Sequence, residues 1–319
     1  MKHDVVIIGG GLAGLALAID LKKRGHRILV IEKGNYPRQK VCGEYISMES
    51  LNYLHSLCPA LKTLTLPRIN KFLLSALGTA EFHTSLDLGG FGISRYLLEN
   101  LLFMEAKNSG VDVIVNTKAI EVKLVSESSH YTVTTKSTEY SAQLVCNATG
   151  KKSNFEALSD KAHRSTTNYV GVKYHVKTNR DEAQIEIHNF PGGYCGISNV
   201  ENTKSCLCYI VNSKMLNEVG NSISELEKKY LFQNKKLKKI FSTAEFITKE
   251  PVTISGVNFA IKAPIQNGVF YLGDSAGTIA PITGNGMSIC LRSAFKLSIY
   301  IDNYLSKQIS KQQLVENYQ

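Results

Sequence analysis

The sequence of 319 residues predicts an α/β protein with a second, sheet-rich lobe inserted into the first. Short apolar runs alternate with helical patterns near the N-terminus, which is typical of a parallel sheet built from βαβ units. From about residue 165 to 262 the pattern is mostly strand. Buried-strand character returns at residues 268–274, and a long helical pattern follows at residues 286–305. The inserted lobe therefore separates two parts of one α/β domain.

The first 32 residues predict a compact βαβ unit. An apolar run at residues 4–8 leads into Gly9, Gly11 and Gly14, and a helical pattern extends from residue 15 to about residue 24. A second apolar run at residues 27–31 follows. Further on, the same criteria predict a helix near residues 94–109 and strands at 111–115, 119–136 and 143–146, whereas residues 34–110 are otherwise less regular.

The glycines match the dinucleotide fingerprint, which requires G-x-G-x-x-G between a strand and a helix. They permit a tight turn and the close approach of a pyrophosphate, whose charge meets free N–H groups at the helix N-terminus. Glu32 ends the next strand about 20 residues on, where it can accept hydrogen bonds from an adenosine ribose. These features predict a Rossmann-like dinucleotide site but do not distinguish NAD from FAD.

A distant C-terminal segment favours FAD. Gly273 and Asp274 end a predicted strand, and an aspartate there can bind a ribityl hydroxyl. The helix that opens at Gly286 can direct its N-terminus at a flavin ring and stabilise negative charge on it. The other residues of this segment expected at the cofactor are Pro281, Gly284, Asn285 and Met287.

Taken together, these residues resemble the FAD-dependent oxidoreductases that include the aromatic hydroxylases, geranylgeranyl reductases and flavin halogenases. The matching segments are residues 9–15, 37–44, 94–95, 147–150 and 273–287. The resemblance implies a Rossmann-like FAD-binding domain of the glutathione-reductase type with an inserted mixed β-sheet substrate domain. The expected FAD-binding domain comprises residues 1–165 and 263–319, and the substrate domain comprises residues 166–262, with residues 67–95 as a candidate addition to it.

The resemblance also implies which residues contact FAD. Arg38, Cys42, Gly43 and Arg95 would line the cofactor, and Ala119 would meet the adenine through its backbone. The remaining residues expected at the cofactor are Leu12, Ala13, Lys33 and Gly150. An electron donor such as NAD(P)H is expected as well.

The sequence indicates the cofactor more clearly than it indicates the reaction. Flavin halogenases carry a tryptophan-rich signature and this chain has no tryptophan, which argues against halogenation. Residues 40–43 and 190–194 resemble isoprenoid reductases, although residues 195–198 depart from the aromatic motif of that family. Aromatic hydroxylases usually have Asp-Gly at the position of Thr149 and Gly150. We expect oxygen-dependent hydroxylation of an apolar or aromatic secondary metabolite, with geranylgeranyl-reductase-like reduction of C=C bonds as the alternative. An FAD-binding protein without catalytic turnover is the alternative from another functional class.

Two residues are candidates for catalysis. Cys42 lies in the predicted flavin-lining loop, where it could protonate or tune the flavin, although a small packing residue fits the same position. Tyr194, on the predicted sheet lobe, could face the substrate, although an aromatic residue in a strand is more often part of the core. The dispersed histidines and seven scattered cysteines show no ligand spacing, so no metal is assigned.

The net charge of +10 is partly concentrated at residues 228–239, where lysines alternate with apolar residues. This pattern predicts one amphipathic helix with a lysine-rich outer face, which either is simply solvated or docks an acidic carrier protein or an anionic membrane surface. We see no nucleic-acid-binding module, no membrane-spanning apolar run and no signal-peptide pattern. A cytoplasmic protein, with peripheral membrane association as an option, is expected.

Overall fold

The computed structural model describes residues 3–78, 80–125, 130–151, 168–257, 259 and 262–319. In these ranges the chain forms seventeen strands and eight α-helices. The strands are β1 (His3–Ile8), β2 (Ile28–Ile31), β3 (Tyr45–Ser47), β4 (Arg68–Ser75), β5 (Glu81–Gly92), β6 (Asp112–Ile114), β7 (Ala119–Val125), β8 (His130–Thr135), β9 (Glu139–Asn147), β10 (Tyr169–Lys177), β11 (Gln184–Phe190), β12 (Gly193–Val200), β13 (Lys204–Asn212), β14 (Glu245–Phe246), β15 (Val252–Val257), β16 (Ile265–Gln266) and β17 (Val269–Tyr271). The helices are α1 (Leu12–Lys23), α2 (Leu51–Leu57), α3 (Arg95–Asn108), α4 (Ser213–Asn217), α5 (Ile223–Lys229), α6 (Lys235–Thr243), α7 (Gly286–Leu305) and α8 (Lys311–Tyr318).

The first sheet has a parallel centre in the order β17-β9-β1-β2-β6. Strands β7 and β8 join it as an antiparallel hairpin beside β9, and β16 pairs with β17 at the edge. Val5 and Ile7 face α1, α3 and α7, whereas Val6 and Ile8 face the β7–β8 hairpin. Because β1 is buried on both faces, its sequence is a continuous apolar run rather than an alternating one.

The second sheet has the order β14-β10-β13-β12-β11-β4-β5-β3, and β15 also pairs with β10. One of its faces packs on α5 and α6 through residues such as Val172, Tyr174 and Leu237. Strands β4 and β5 of this sheet lie within residues 34–110, where the sequence pattern predicted little regular structure. Most of β5 is exposed, so its side chains lack the apolar alternation that identifies a half-buried strand.

The two sheets confirm the predicted α/β class with a Rossmann-like first domain and a mixed second sheet. β4 and β5 lie in the second sheet, as the candidate addition at residues 67–95 anticipated, but the domain limits remain a prediction. The predicted boundary at residue 165 lies outside the described residues.

The prediction of one lysine-rich helix at residues 228–239 is wrong. The structure has two helices, α5 and α6, separated by residues 230–234. The Asn234 side chain accepts hydrogen bonds from the N–H groups of Lys236 and Leu237, so it caps a new helix. Asparagine favours this position because its short side chain reaches the first free N–H groups. No helix among the described residues is long and apolar enough to cross a membrane.

Candidate functional site

The glycine loop connects β1 to α1 in the predicted way. Gly9 has a φ of +103°, a backbone region that favours glycine. A Cβ atom on Gly14 would lie 2.0 Å from the carbonyl oxygen of Gly9, so α1 can approach the loop only because residue 14 lacks a side chain. Gly11, at the N-cap, has no side chain that could cap the helix, and the first turn carries no acidic residue. The N–H groups that open α1 are therefore suited to binding an anion.

Glu32 lies at the end of β2, opposite the glycine loop. Its carboxylate accepts hydrogen bonds from the N–H groups of Gly10 at 2.7 Å and Gly34 at 2.8 Å. Arg38 lies 2.6 Å from Oε1 and also donates to Oε2 at 3.1 Å. Burial acts to raise the pKa of Glu32, but the hydrogen bond and charge of Arg38 outweigh it and lower that pKa. Since these four contacts fill the acceptor positions of a carboxylate, a ribose hydroxyl would have to replace one bond from Arg38.

Three cations surround the buried carboxylate of Glu99 on α3. Arg95 forms an ion pair with it, Arg38 approaches to 3.3 Å and Lys40 to 3.4 Å. Burial acts to raise the pKa of Glu99, but Arg95, Lys40 and Arg38 together bring it down to about 2. Burial lowers the pKa of Lys40 to about 8; Glu99 opposes this shift, while Arg95 and Arg38 add to it. This group carries more positive than negative charge.

The cation group fits the diphosphate of a dinucleotide. The Nε atom of Arg95 is buried and has no hydrogen-bond partner in the part of the chain that the structure describes. A Cβ atom on Gly11 would lie 3.3 Å from Nζ of Lys40, so this ammonium group lies against the glycine loop. An unsatisfied buried donor next to surplus positive charge and a helix N-terminus is the arrangement that a diphosphate would neutralise.

A cleft of about 280 Å³ opens beside this group. Six of the residues predicted to contact the cofactor line it: Gly9, Gly11, Glu32, Lys33, Arg38 and Ala119. Lys40, Thr117, Lys118, Ala148 and Thr149 line it as well. The structure thus brings the glycine loop and the start of β7 to one cavity, as an adenosine site requires.

The predicted flavin-side residues meet at the start of α7. Gly273, with φ +61°, packs against Ala13: a Cβ atom on Gly273 would lie 3.2 Å from Cβ of Ala13. Gly284 has φ +67° and lies against the ring of Tyr45 on β3. α7 then begins at Gly286, and its Asn285 N-cap makes no side-chain capping bond. Of the remaining predicted residues of the segment, Asp274 lies in the 3-10 turn Gly273–Ser275, Pro281 in the 3-10 turn Pro281–Thr283 and Met287 in the first turn of α7.

The loop containing Cys42 and Gly43 contacts the second sheet. The thiol of Cys206 donates to the carbonyl oxygen of Cys42 at 3.1 Å, and the hydroxyl of Ser198 donates to that of Gly43 at 3.1 Å. Tyr194 lies on β12, and burial raises the pKa of its hydroxyl, with Cys208 adding to the shift. Cys208 pairs with Gly196, so Cys206, Cys208 and Tyr194 share one face of the second sheet. The Cys42 loop contacts that face at Cys206 and Tyr194 lies on it, and the roles of Cys42 and Tyr194 remain predictions.

Sequence reasoning missed a buried ionic network next to this loop. Glu44 is fully buried, has φ +57°, and accepts hydrogen bonds from Lys173 at 2.8 Å and from the N–H group of Arg95 at 2.9 Å. Its other oxygen lies 2.6 Å from Nε2 of His175. Lys173 and His175 alternate along an otherwise apolar strand, so they share one face of β10. A lysine in such a strand needs a buried partner, and this was the available signal.

Glu44, His175 and Cys206 also offer ligand atoms within 4.8 Å of one another. Each of these atoms already has a protein partner: the carboxylate contacts Lys173 and His175, and the thiol donates to Cys42. A metal would have to replace the hydrogen bonds between His175 and Glu44 and between Cys206 and Cys42, beside the positive charge of Lys173. The cluster is therefore better described as a hydrogen-bonded network.

The fold and the cleft define a dinucleotide-binding protein, and comparison with known proteins identifies the family. The chain matches the FAD binding domain family over residues 2–319. It therefore belongs to that family and is an FAD-binding protein.

Several named proteins are similar in sequence. Conditioned medium factor receptor 1 of Dictyostelium discoideum is 22% identical over 348 residues, covering 99% of this chain and 66% of that protein. Digeranylgeranylglycerophospholipid reductase 3 of Methanosphaera stadtmanae is 24% identical over 361 residues, covering 97% of this chain and 84% of that protein. Menaquinone reductase of Mycobacterium tuberculosis is 25% identical over 195 residues, covering 55% of this chain and 44% of that protein. The chain thus spans only part of the length of these relatives.

Among solved structures, the myxobacterial chondrochloren halogenase, described as an FAD-dependent halogenase variant, superposes with a TM-score of 0.84. The alignment covers 99% of this chain and 78% of the halogenase at 18% identity. At this identity the likeness establishes the shared fold.

Proposed function

We propose that this flavoenzyme reduces carbon–carbon double bonds in an isoprenoid or similarly long apolar substrate. Two of the sequence relatives are named as reductases, one of a digeranylgeranylglycerophospholipid and one of menaquinone. The loop at residues 40–43 also resembles that of isoprenoid reductases. Reduction is therefore placed ahead of hydroxylation, which the sequence alone had favoured.

One structural observation carries this proposal: a row of residues without polar side chains crosses the second sheet from the Cys42 loop to an exposed edge. Cross-strand partners share one face of a sheet, and Cys208, Gly196, Ile187, Leu74 and Phe82 are successive partners on β13, β12, β11, β4 and β5. At a strand spacing of ~4.8 Å, the row is about 19 Å long.

The row has a polar end and an apolar end. Cys208 pairs with Lys173, which belongs to the buried network at the Cys42 loop. The exposed fraction then rises from 6% at Ile187 to 57% at Phe82. A long apolar chain lying along this row would place one end beside the loop and extend the other end towards solvent, and its burial would be favourable along the whole length.

The residues at the polar end have separate tasks in this proposal. The glycine loop, Lys40 and Arg95 would hold the diphosphate of FAD, whose reduced form would supply two electrons and one proton as a hydride to one carbon of the double bond, while the other carbon would take a proton that comes from water. The Lys173–Glu44–His175 network fixes the loop that carries Cys42. The hydroxyl of Tyr194, like that of any tyrosine, is protonated at neutral pH and can donate a hydrogen bond on the substrate side.

The experiment is an anaerobic turnover with the purified FAD-loaded protein. The flavin is reduced with one equivalent of dithionite, a geranylgeranyl lipid is added, and the products are analysed by mass spectrometry. Reduction predicts a mass gain of two hydrogen atoms per double bond and reoxidation of the flavin without oxygen. A parallel reaction uses air enriched in ¹⁸O₂.

Reduction and hydroxylation predict opposite outcomes in the anaerobic and aerobic incubations. Incorporation of one labelled oxygen atom, with no anaerobic product, would establish hydroxylation and refute the proposal. Flavin that stays reduced anaerobically with every long-chain isoprenoid tested would also refute it.

A further inference from the structure

The ring of Tyr45 on β3 touches both parts of the protein that would enclose the flavin ring. A Cβ atom on Gly90 of β5 would lie 2.5 Å from Cζ of this ring, and one on Gly284 would lie 3.3 Å from its Cδ1 atom. Gly90 belongs to the second sheet, whereas Gly284 belongs to the turn before α7, where the flavin ring is expected. The lack of a side chain at Gly90 makes room for the ring and lets it reach this turn.

Hydrogen bonds on either side of Tyr45 hold it in this place. The preceding residue, Glu44, accepts a hydrogen bond from Lys173 of β10 at 2.8 Å. Two residues after Tyr45, the N–H group of Ser47 donates to Oγ of Ser288 at 3.1 Å, in the first turn of α7. All four of these partner residues are buried. The backbone of Tyr45 is therefore fixed to the second sheet on one side and to α7 on the other.

The hydroxyl of Tyr45 makes no hydrogen bond to any residue that the structure describes. Burial raises its pKa, and no charged group within the described ranges contributes to this shift. The hydroxyls of Tyr174 and Tyr209, in contrast, both donate to Glu227. A tyrosine hydroxyl that is partly removed from water usually has a partner. That of Tyr45 is therefore available to a ligand bound between the α7 turn and the second sheet.

We propose that Tyr45 packs its ring on the flavin ring and delivers to the substrate the proton that the double bond takes from water. The O–H bond of Tyr45 breaks as its proton forms a C–H bond with the carbon that does not receive the hydride, and the phenolate then takes a proton from water. The two electrons arrive with the hydride from reduced FAD, so Tyr45 is neither oxidised nor reduced. A hydroxyl held between the flavin-side turn and the sheet with the apolar row suits a general acid. The proton delivery rests on the proposed function, whereas the ring contact does not.

The first test measures the ring contact without turnover. Tyr45→Phe keeps the ring and removes only a hydroxyl that has no described partner, so the thermal unfolding temperature should not change. A tyrosine packed on oxidised flavin quenches its fluorescence by donating an electron to the excited ring, which phenylalanine does far less readily. We therefore expect brighter emission and a longer emission lifetime from FAD bound to Tyr45→Phe than from FAD bound to the native chain. Tyr140→Phe is the matched control, because Tyr140 is also partly buried but lies at the start of β9, away from the strand ends that form the cofactor site.

The second test follows the anaerobic reoxidation of the reduced protein by a geranylgeranyl lipid. Tyr45→Phe should lower the rate at saturating lipid about 100-fold or more, which is the usual contribution of a general acid. The lipid concentration at half-maximal rate and the FAD dissociation constant should stay near the native values, which damage to the fold would not allow. Tyr140→Phe should react at the native rate.

Each part of the proposal has its own refutation. Native emission from FAD in Tyr45→Phe, or an equal gain in Tyr140→Phe, would refute the ring contact. A native rate of reoxidation in Tyr45→Phe would refute the proton delivery while leaving the proposed function intact. If the native chain itself leaves the lipid unreduced, the proposed function and the proton delivery both fail, and the emission measurement still decides the ring contact.

Discussion

The Nζ atom of Lys173 lies 2.8 Å from Oε1 of Glu44, and both side chains are almost completely buried. The pair joins β10 of the second sheet to the loop between β2 and β3. Burial acts to lower the pKa of Lys173, but Glu44 outweighs it and raises that pKa. Both groups are therefore charged at neutral pH, and each depends on the other for compensation.

We expect Glu44→Gln to destabilise the fold by roughly 3–5 kcal/mol, because it leaves the Lys173 ammonium group buried with no counter-charge. The double variant E44Q/K173M should be more stable than the sum of the single effects predicts. Urea unfolding of the four proteins gives the coupling energy. Glu245→Gln, which breaks the exposed pair with Lys177, serves as control and should change stability by no more than about 1 kcal/mol. A Glu44→Gln effect as small as the control would contradict the assigned network.

FAD affinity should fall as the pH rises through about 8. The pKa of Lys40 in the free protein is lowered to about 8, so the ammonium group is charged below that pH and neutral above it. A bound diphosphate favours the charged form, hence the dissociation constant should rise by up to about tenfold per pH unit above pH 8. Fluorescence titration with FAD between pH 7 and 9.5 measures it. Lys40→Arg keeps its charge over this range and should flatten the profile; an unchanged slope in this variant would assign the pH dependence to another group.

Gly14→Ala should destabilise the apo-protein by about 3 kcal/mol or more, since the new methyl group would meet the carbonyl oxygen of Gly9 at 2.0 Å. Gly286→Ala is the comparison, because no atom lies within 4 Å of its Cβ position and the residue opens a helix. Thermal unfolding without FAD separates the packing effect from cofactor binding. Equal stability of the two variants would show that α1 does not pack as closely on the loop as the structure indicates.

Leu74→Ser should raise the KM of a twenty-carbon isoprenoid substrate about tenfold, because one apolar contact in the middle of the row is lost. The KM of a five-carbon analogue should not change if such a short chain binds only at the polar end. Leu124→Ser, at an exposed position on β7, is the control. An equal effect of Leu74→Ser on both substrate lengths would indicate general damage to the fold and argue against the row as a binding surface.

The cofactor half of the protein could be predicted from sequence because its signals are local. Gly9, Gly11 and Gly14 determine a turn within six residues, and Glu32 follows at a fixed spacing. The buried β1 and β2 stand out as uninterrupted apolar runs. The long helix α7 coincides with its predicted limits at residues 286–305.

The second sheet was harder to predict because its strands do not form a local pattern. β5 is largely exposed and β4 pairs in parallel with β11, more than 100 residues later in the chain. The division between α5 and α6 depends on a single capping residue, Asn234, inside a run of lysines that reads as one continuous helix. Glu44 was part of a recognised motif, but nothing near it in sequence indicates Lys173.

By itself the sequence determined the fold class, the glycine turn, its carboxylate partner and the choice of FAD, since each of these depends on neighbouring residues or on a family motif. The tertiary structure decided which charges meet and which apolar residues share a face. Lys173 and Glu44 are 129 positions apart, and the row from Cys208 to Phe82 exists only through the register of five strands. Such relationships arise when strands pair, because pairing brings distant side chains onto one surface and removes them from water together.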